Sequence, residues 1–324
     1  MNVLAGSSRF KKNKSIKDAE DMAINTKKKD KSQSIFIFLM LLWPMIHWLT
    51  FTLLMNIQTV VYSFQKINKF TGQVRFAGLE NYIELFEKIF RNLGSWGTAF
   101  RNTFLWLGVN VLIVVPLSLI IAYFLSKKIP FYRFFNTVLF IPNIISIVIL
   151  TMVWSFVWGP TQGIVNTLLE LLGLGKYTRI WLGDPKTALL NIFLYKVWAG
   201  IGFNNLILSG AIAKIPREVL EAAEIDGTSN WQEFFHIIIP SIWPTISTLT
   251  ILGATGAFTI FLIPDLLTGG QYGTTTITLK IVNEVLAGGS YGMASAAGIT
   301  IGVCGFLVVY LIKLFLDRME EKWS

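Results

Sequence analysis

The sequence predicts an all-α, polytopic membrane protein with six transmembrane helices, and three observations carry that prediction. Hydrophobic residues fill 53% of the 324 positions and charged ones only 15%, with a mean hydropathy of +0.57, far more apolar than a soluble core requires. Six apolar runs, at 35–64, 102–125, 134–158, 188–213, 241–264 and 291–312, are each long enough for the ~20 residues that cross a hydrocarbon layer. Among all six, the only Lys, Arg, Asp or Glu is Lys196.

The head, residues 1–33, is basic and carries Lys27, Lys28 and Lys29. It is too long and too charged for a secretory leader, so it is expected to be a cytoplasmic tail followed by a retained first span, leaving 34–324 as the membrane domain. The formal charge of +9 raises nucleic acid as a partner. However, nine of the 28 basic residues lie in that head and the rest mostly flank apolar runs, a distribution that describes membrane topology. With the amino terminus inside, the inner segments hold 17 Lys and Arg and the outer ones 10, so both termini are expected in the cytoplasm.

Prolines at 44, 116, 142, 244 and 264 lie in or beside the spans, where each removes a backbone donor and permits a bend. Ala294, Gly298 and Gly302 thin one face of the last span, which predicts close helix packing. The single cysteine, Cys304, excludes an internal disulfide and is expected to pack as a small hydrophobe.

The segment between the fourth and fifth spans, 214–240, is the most informative. Pro216 suits a first helical turn, Glu218 the positive end of its dipole, Ala222 and Ala223 propagate helix, and Gly227 can adopt the left-handed stop. Ser229 and Gln232 then form a capping-box pattern for a second helix toward Pro240. A helix, a glycine turn and a helix are predicted. They could form a hairpin lying on the membrane surface, or a shallow face of Val219, Ala222, Ala223 and Asp226 on which a partner seats.

The run Glu221-Ala222-Ala223-x-x-Asp226-Gly227, followed by Phe234, Ile237 and Pro240, resembles the EAA loop of binding-protein-dependent ABC importer permeases of the maltose type. Other segments match that family in order: Phe76-Ala77-Gly78-Leu79-Glu80-Asn81-Tyr82, Asn102-Thr103, Pro142, Trp181-Leu182 and Leu267-Thr268-Gly269-Gly270. The similarity extends over about 35–316, and the chain as a whole looks like the permease of an alginate-oligosaccharide importer. It departs at Thr228, where the family more often has alanine, and in a first external loop too short for a large external domain.

The resemblance implies the six-helix type I ABC importer fold and an inner-membrane location. It also implies a homologous second permease, two ATPase subunits and an external solute-binding protein as partners. The 214–240 loop would be the coupling helix on the ATPase, through Arg217, Glu218, Glu221, Ala222, Ala223, Asp226 and Gly227. Aligned from Ile215-Pro216, Lys196, Ala199, Gly200 and Phe203 match positions that contact sugar in the maltose relative; aligned through Leu267–Gly270, so do Gly253, Ala257 and Ile260. Thr255 and Thr259 lie near these positions, while Asn204 and Asn205 could either touch solute or bond neighbouring helices.

A lysine at a span centre costs about 2.5–3.5 kcal/mol on insertion, so it faces a wet cavity or a partner unless it snorkels to the headgroups. Spacing puts Ala199, Gly200 and Phe203 on its face, at i+3, i+4 and i+7. One cation in an uncharged pathway suits an anionic solute such as a uronate oligomer; a neutral oligosaccharide is the alternative.

An enzyme reading lacks convergent groups, since His47 and His236 are distant and have no ligand-spaced neighbours. A secondary transporter would usually bury acidic residues and show internal repeats, neither of which is present. The chain has no G-x-x-x-x-G-K-[ST] motif, so it is expected to be a non-ATPase subunit without a cofactor of its own, with ATP and Mg bound by its ATPase partners.

Overall fold

The computed structural model describes residues 33–67, 73–287 and 291–322. The basic head expected as a cytoplasmic tail lies outside the described residues apart from Gln33. The chain divides into two compact units, 1–61 and 62–324.

The first unit is represented by most of α1 (Gln33–Ser63), mostly apolar, without Lys, Arg, Asp or Glu, and containing a π-helical stretch at Trp48–Leu54. A short hairpin follows, β1 (Gln65–Ile67) paired antiparallel with β2 (Val74–Phe76). Then come α2 (Glu80–Phe90), α3 (Leu93–Ser126), α4 (Tyr132–Ile144), α5 (Ile147–Val157), α6 (Ile164–Leu171) and α7 (Ala188–Ile212). The chain continues through α8 (Arg217–Ile225), α9 (Asn230–Ser241), α10 (Trp243–Ala257), α11 (Leu262–Thr268), α12 (Ile277–Leu286) and α13 (Tyr291–Glu320).

Among the described residues, four helices, α1, α3, α7 and α13, are long and apolar enough to cross a membrane, and six spans result if the bent pairs α4–α5 and α9–α10 each count as one. The third span, expected over 134–158 with Pro142 permitting a bend, is a helix pair bent by 109°. Pro142 removes a donor from the last turn of α4, and Ile145 and Ser146 then adopt extended backbone. The fifth span, expected over 241–264, is likewise a bent pair, α9–α10, running from Asn230 to Ala257. It bends by 75° at Ile242, where Pro244 occupies the first turn of α10, and its helix ends at Ala257.

Three buried clusters hold the second unit together. One joins α3, α7, α9, α10 and the end of α13 through Leu119, Tyr123, Leu208, Ile238, Trp243 and Leu316. The second packs Leu85, Trp96, Phe258, Ile277, Met293 and Ile301, and the third Trp106, Leu150, Ile192, Tyr195, Ala257 and Ile263. Large hydrophobics such as Leu112, Phe156, Leu190 and Phe306 are exposed, the inversion expected of a bundle whose solvent is lipid.

Several motif residues turn out to be clamps. Asn81 donates to the carbonyls of Ser63 (2.8 Å) and Gln65 (2.9 Å), tying α2 to the hairpin. Asn102 donates to the carbonyls of Gly273 (2.7 Å) and Thr275 (2.9 Å), while the Thr103 hydroxyl accepts from the Ile277 amide. Each side chain satisfies backbone groups that have no water to turn to. The Ala294–Gly302 stripe behaves differently from expectation. Ala294 is buried, but a Cβ on Gly298 or Gly302 would meet nothing within 4 Å among the described residues, and both glycines open onto an apolar groove of about 590 Å³.

Candidate functional site

The unbroken helix α7 presents Lys196, Ala199, Gly200 and Phe203 along one face, and all four line a cavity of about 380 Å³. Gly253 of α10 lines it from across the bundle, and α4 contributes Pro142 and Asn143 beside the break. Asn110 and Val114 come from α3, where residues Val109–Val114 form a π-helical stretch. Such a turn shifts the phase of the helix and is frequent at functional sites; here it falls on the wall facing Lys196.

Among the described residues Lys196 has neither an ion pair nor a hydrogen bond. Its chain lies along Gly200, where a Cβ would come within 3.8 Å of Nζ and 3.1 Å of Val114. The tight contact is the one with Val114, so Gly200 leaves room for the approach of α3 to α7 beside the lysine. Asn110, Asn143 and Asn204 provide neutral polar groups on the walls, next to apolar Leu249, Leu252 and Ile263. This combination of one cation, neutral amides and apolar surface suits a polar, anion-bearing ligand with apolar faces.

Ala257 and Ile260 are not brought to this cavity. Ala257, the last residue of α10, is buried in the Trp106 cluster, and Ile260, beyond the helix end, packs against it. Thr255 and Thr259 line the apolar groove beside Gly298 instead. Asn205 bonds the Asn136 side chain at 2.8 Å and holds α7 to α4, while Asn204 faces the cavity. Sequence reasoning passed over Asn110 and Asn143; the available signal was a neutral amide inside an otherwise apolar run.

The second candidate site is the 214–240 segment, which forms α8, a turn and α9. Gly227 adopts φ +70°, and the amide and hydroxyl of Thr228 both donate to the Ala223 carbonyl, at 3.1 and 2.7 Å, closing the end of α8. The Ser229–Gln232 capping box opens α9. Ala223 is buried, whereas Arg217, Glu218, Glu221, Ala222, Asp226 and Gly227 are exposed, with Val219, Ile225, Trp231 and Phe235 exposed nearby. None of Arg217, Glu218, Glu221 or Asp226 belongs to an ion pair among the described residues. The segment therefore offers charged groups and apolar side chains on one accessible surface.

Residues 114–321 match the family described as "Binding-protein-dependent transport system inner membrane component". A probable ABC transporter permease protein of Bacillus subtilis, YurN, is 32% identical over 90% of this chain and 97% of its own. The arabinooligosaccharides transport system permease protein AraP of the same organism is 29% identical over 86% of each. Among solved structures, a bacterial ABC transporter involved in the import of the acidic polysaccharide alginate superposes with a TM-score of 0.75 at 25% identity, covering 91% of this chain and 98% of that one. A bacterial alginate ABC transporter in complex with alginate pentasaccharide-bound periplasmic protein gives a TM-score of 0.78 at 24% identity, covering 90% and 97%.

Proposed function

Because the chain belongs to the binding-protein-dependent transport family of inner-membrane components and has the type I ABC permease fold, we propose that it moves an acidic oligosaccharide into the cytoplasm. The observation that carries this reading is Lys196, the one charge within the apolar spans, which has no partner among the described residues and lies in a cavity whose walls include neutral amides. An arriving carboxylate would provide the counter-ion, and Phe203 could lie against the apolar face of a sugar ring. One of the similar solved transporters imports an acidic polysaccharide, which supports the choice of a charged solute.

In this reading both termini and the 214–240 loop face the cytoplasm, and the loop seats on an ATPase through Glu221, Ala222 and Asp226. A second permease and an external binding protein complete the assembly. Closure of the ATPases pushes on α8, and the bundle alternates between inward- and outward-open states. Solute favours one state only through contacts that differ between the two, and the Lys196 cavity is where those contacts would change.

The test is purification followed by uptake. The tagged chain should bring down an ATPase and a homologous permease, and the assembly in vesicles should accumulate uronate oligomers only with ATP and binding protein. Uptake that proceeds without an ATPase would indicate a self-sufficient carrier. A Lys196→Met assembly that takes up uronate oligomers as well as wild type would remove the charge-pairing role and leave a neutral oligosaccharide as the better reading.

A further inference from the structure

Helix α9 is tied to the end of α3 by three interactions within two turns. Lys127, directly after α3, places Nζ 2.5 Å from Oε2 of Glu233 in the first turn of α9. The Tyr123 hydroxyl donates to the Asn230 carbonyl at 2.9 Å, and the Tyr123 and Phe234 rings pack with centroids 5.0 Å apart. The Lys127 ammonium also lies 5.4 Å from the centre of the Tyr123 ring. Beside the contact is a second cavity of about 370 Å³, lined by Lys128, Asn136, Ser209 and Arg217.

Glu233 is the unusual member, a carboxylate only 5% exposed. Taking it out of water costs several kcal/mol, and a well-packed apolar pair would hold two helices at least as stably. Lys127 is held above its ordinary range: partial burial works against its charge, but the Glu233 hydrogen bond and surrounding anionic groups outweigh it. Stability alone does not account for an ion pair here. What an ion pair supplies is a contact of fixed register that resists sliding, whereas an apolar face permits it.

The geometry points to Lys127 and Glu233 as positioning residues that pass the displacement of the coupling loop to the second span and so to the Lys196 cavity. This inference rests on the reading of 214–240 as the ATPase-docking loop. Helix α8 is exposed and is joined to α9 by the Gly227 turn, so a push on α8 reaches α9 directly. Helix α9 grips the end of α3 at Lys127, and about 20–25 Å back along that helix Val114 and Asn110 form part of the cavity wall. The π-helical stretches at Phe234–Ile238 and Val109–Val114 lie at the two ends of this route, where irregular turns can absorb a shift.

The experiment uses the assembled importer in vesicles and measures uptake of a uronate oligomer per ATP hydrolysed. The informative variant is the double neutral one, Lys127→Gln with Glu233→Gln, which removes both charges and strands neither. It should assemble with its ATPases and hydrolyse ATP, yet transport about threefold or more less solute per ATP. The charge exchange, Lys127→Glu with Glu233→Lys, should restore much of the ratio. A double neutral variant with the wild-type ratio overturns the inference, as does one that fails to assemble, since the pair would then be structural only. Failure of the wild-type chain to retain an ATPase would instead overturn the reading on which the inference rests.

Discussion

Lys196 and Lys127 lie in the same helix bundle but in opposite electrostatic settings. Lys196 faces a cavity on α7 with no ion-pair partner among the described residues, whereas Lys127 is clamped to a buried carboxylate on α9. A cation left without a counter-ion inside a span is a standing cost, sensible where a ligand relieves it; a cation already paired fixes two helices in register. In the proposed reading, the difference separates a site that receives from a contact that transmits.

The strongest way to break this contrast is to remove each lysine in turn. Lys127→Met leaves Glu233 buried and unpaired and should cost about 3 kcal/mol of stability, read as earlier thermal unfolding of the purified assembly. Lys196→Met should leave stability unchanged or raise it, because it removes an unpaired charge from the bundle. Equal destabilisation by both would erase the distinction.

A smaller effect is expected at the seam of α4 and α7, between the two cavities. A Cβ on Gly202 would lie 2.0 Å from the Leu139 carbonyl oxygen, so Gly202→Ala must push the helices apart, at about 2 kcal/mol by the same thermal measurement. Lys196→Met should next reduce uptake of acidic oligomers about tenfold, near 1.4 kcal/mol, without altering that of a neutral sugar. Last, Thr228→Val removes one hydroxyl bond to Ala223 and should cost about 1 kcal/mol or less, seen as faster amide exchange at the end of α8.

How much of this was legible in the sequence varied with the continuity of the helices. On α7 nothing interrupts the 3.6-residue period from 188 to 212, so the residues picked out by the family resemblance, Ala199, Gly200 and Phe203, share a face with Lys196 as their spacing requires. On α10 the helix ends at Ala257, and Ala257 and Ile260, taken from the family alignment through Leu267–Gly270, fall in a different environment. The break at Ile145 and Ser146 was hidden because an apolar and a small residue leave the hydropathy of the run intact, with Pro142 as the only sign. The 214–240 segment was easier to read, since caps and glycine turns are written in a few adjacent residues. The Lys127–Glu233 pair, 106 positions apart, has no local signature; only the packing of α3 against α9 brings it together.

The central claim is that Lys196 serves as the counter-ion of the solute. It is tested most directly by comparing ATP-driven uptake of a uronate oligomer with that of its carboxyl-reduced, neutral counterpart, in wild-type and Lys196→Met assemblies. The account predicts a wild-type preference for the acid that largely disappears in the variant; an equal preference for the acid in both proteins would contradict it.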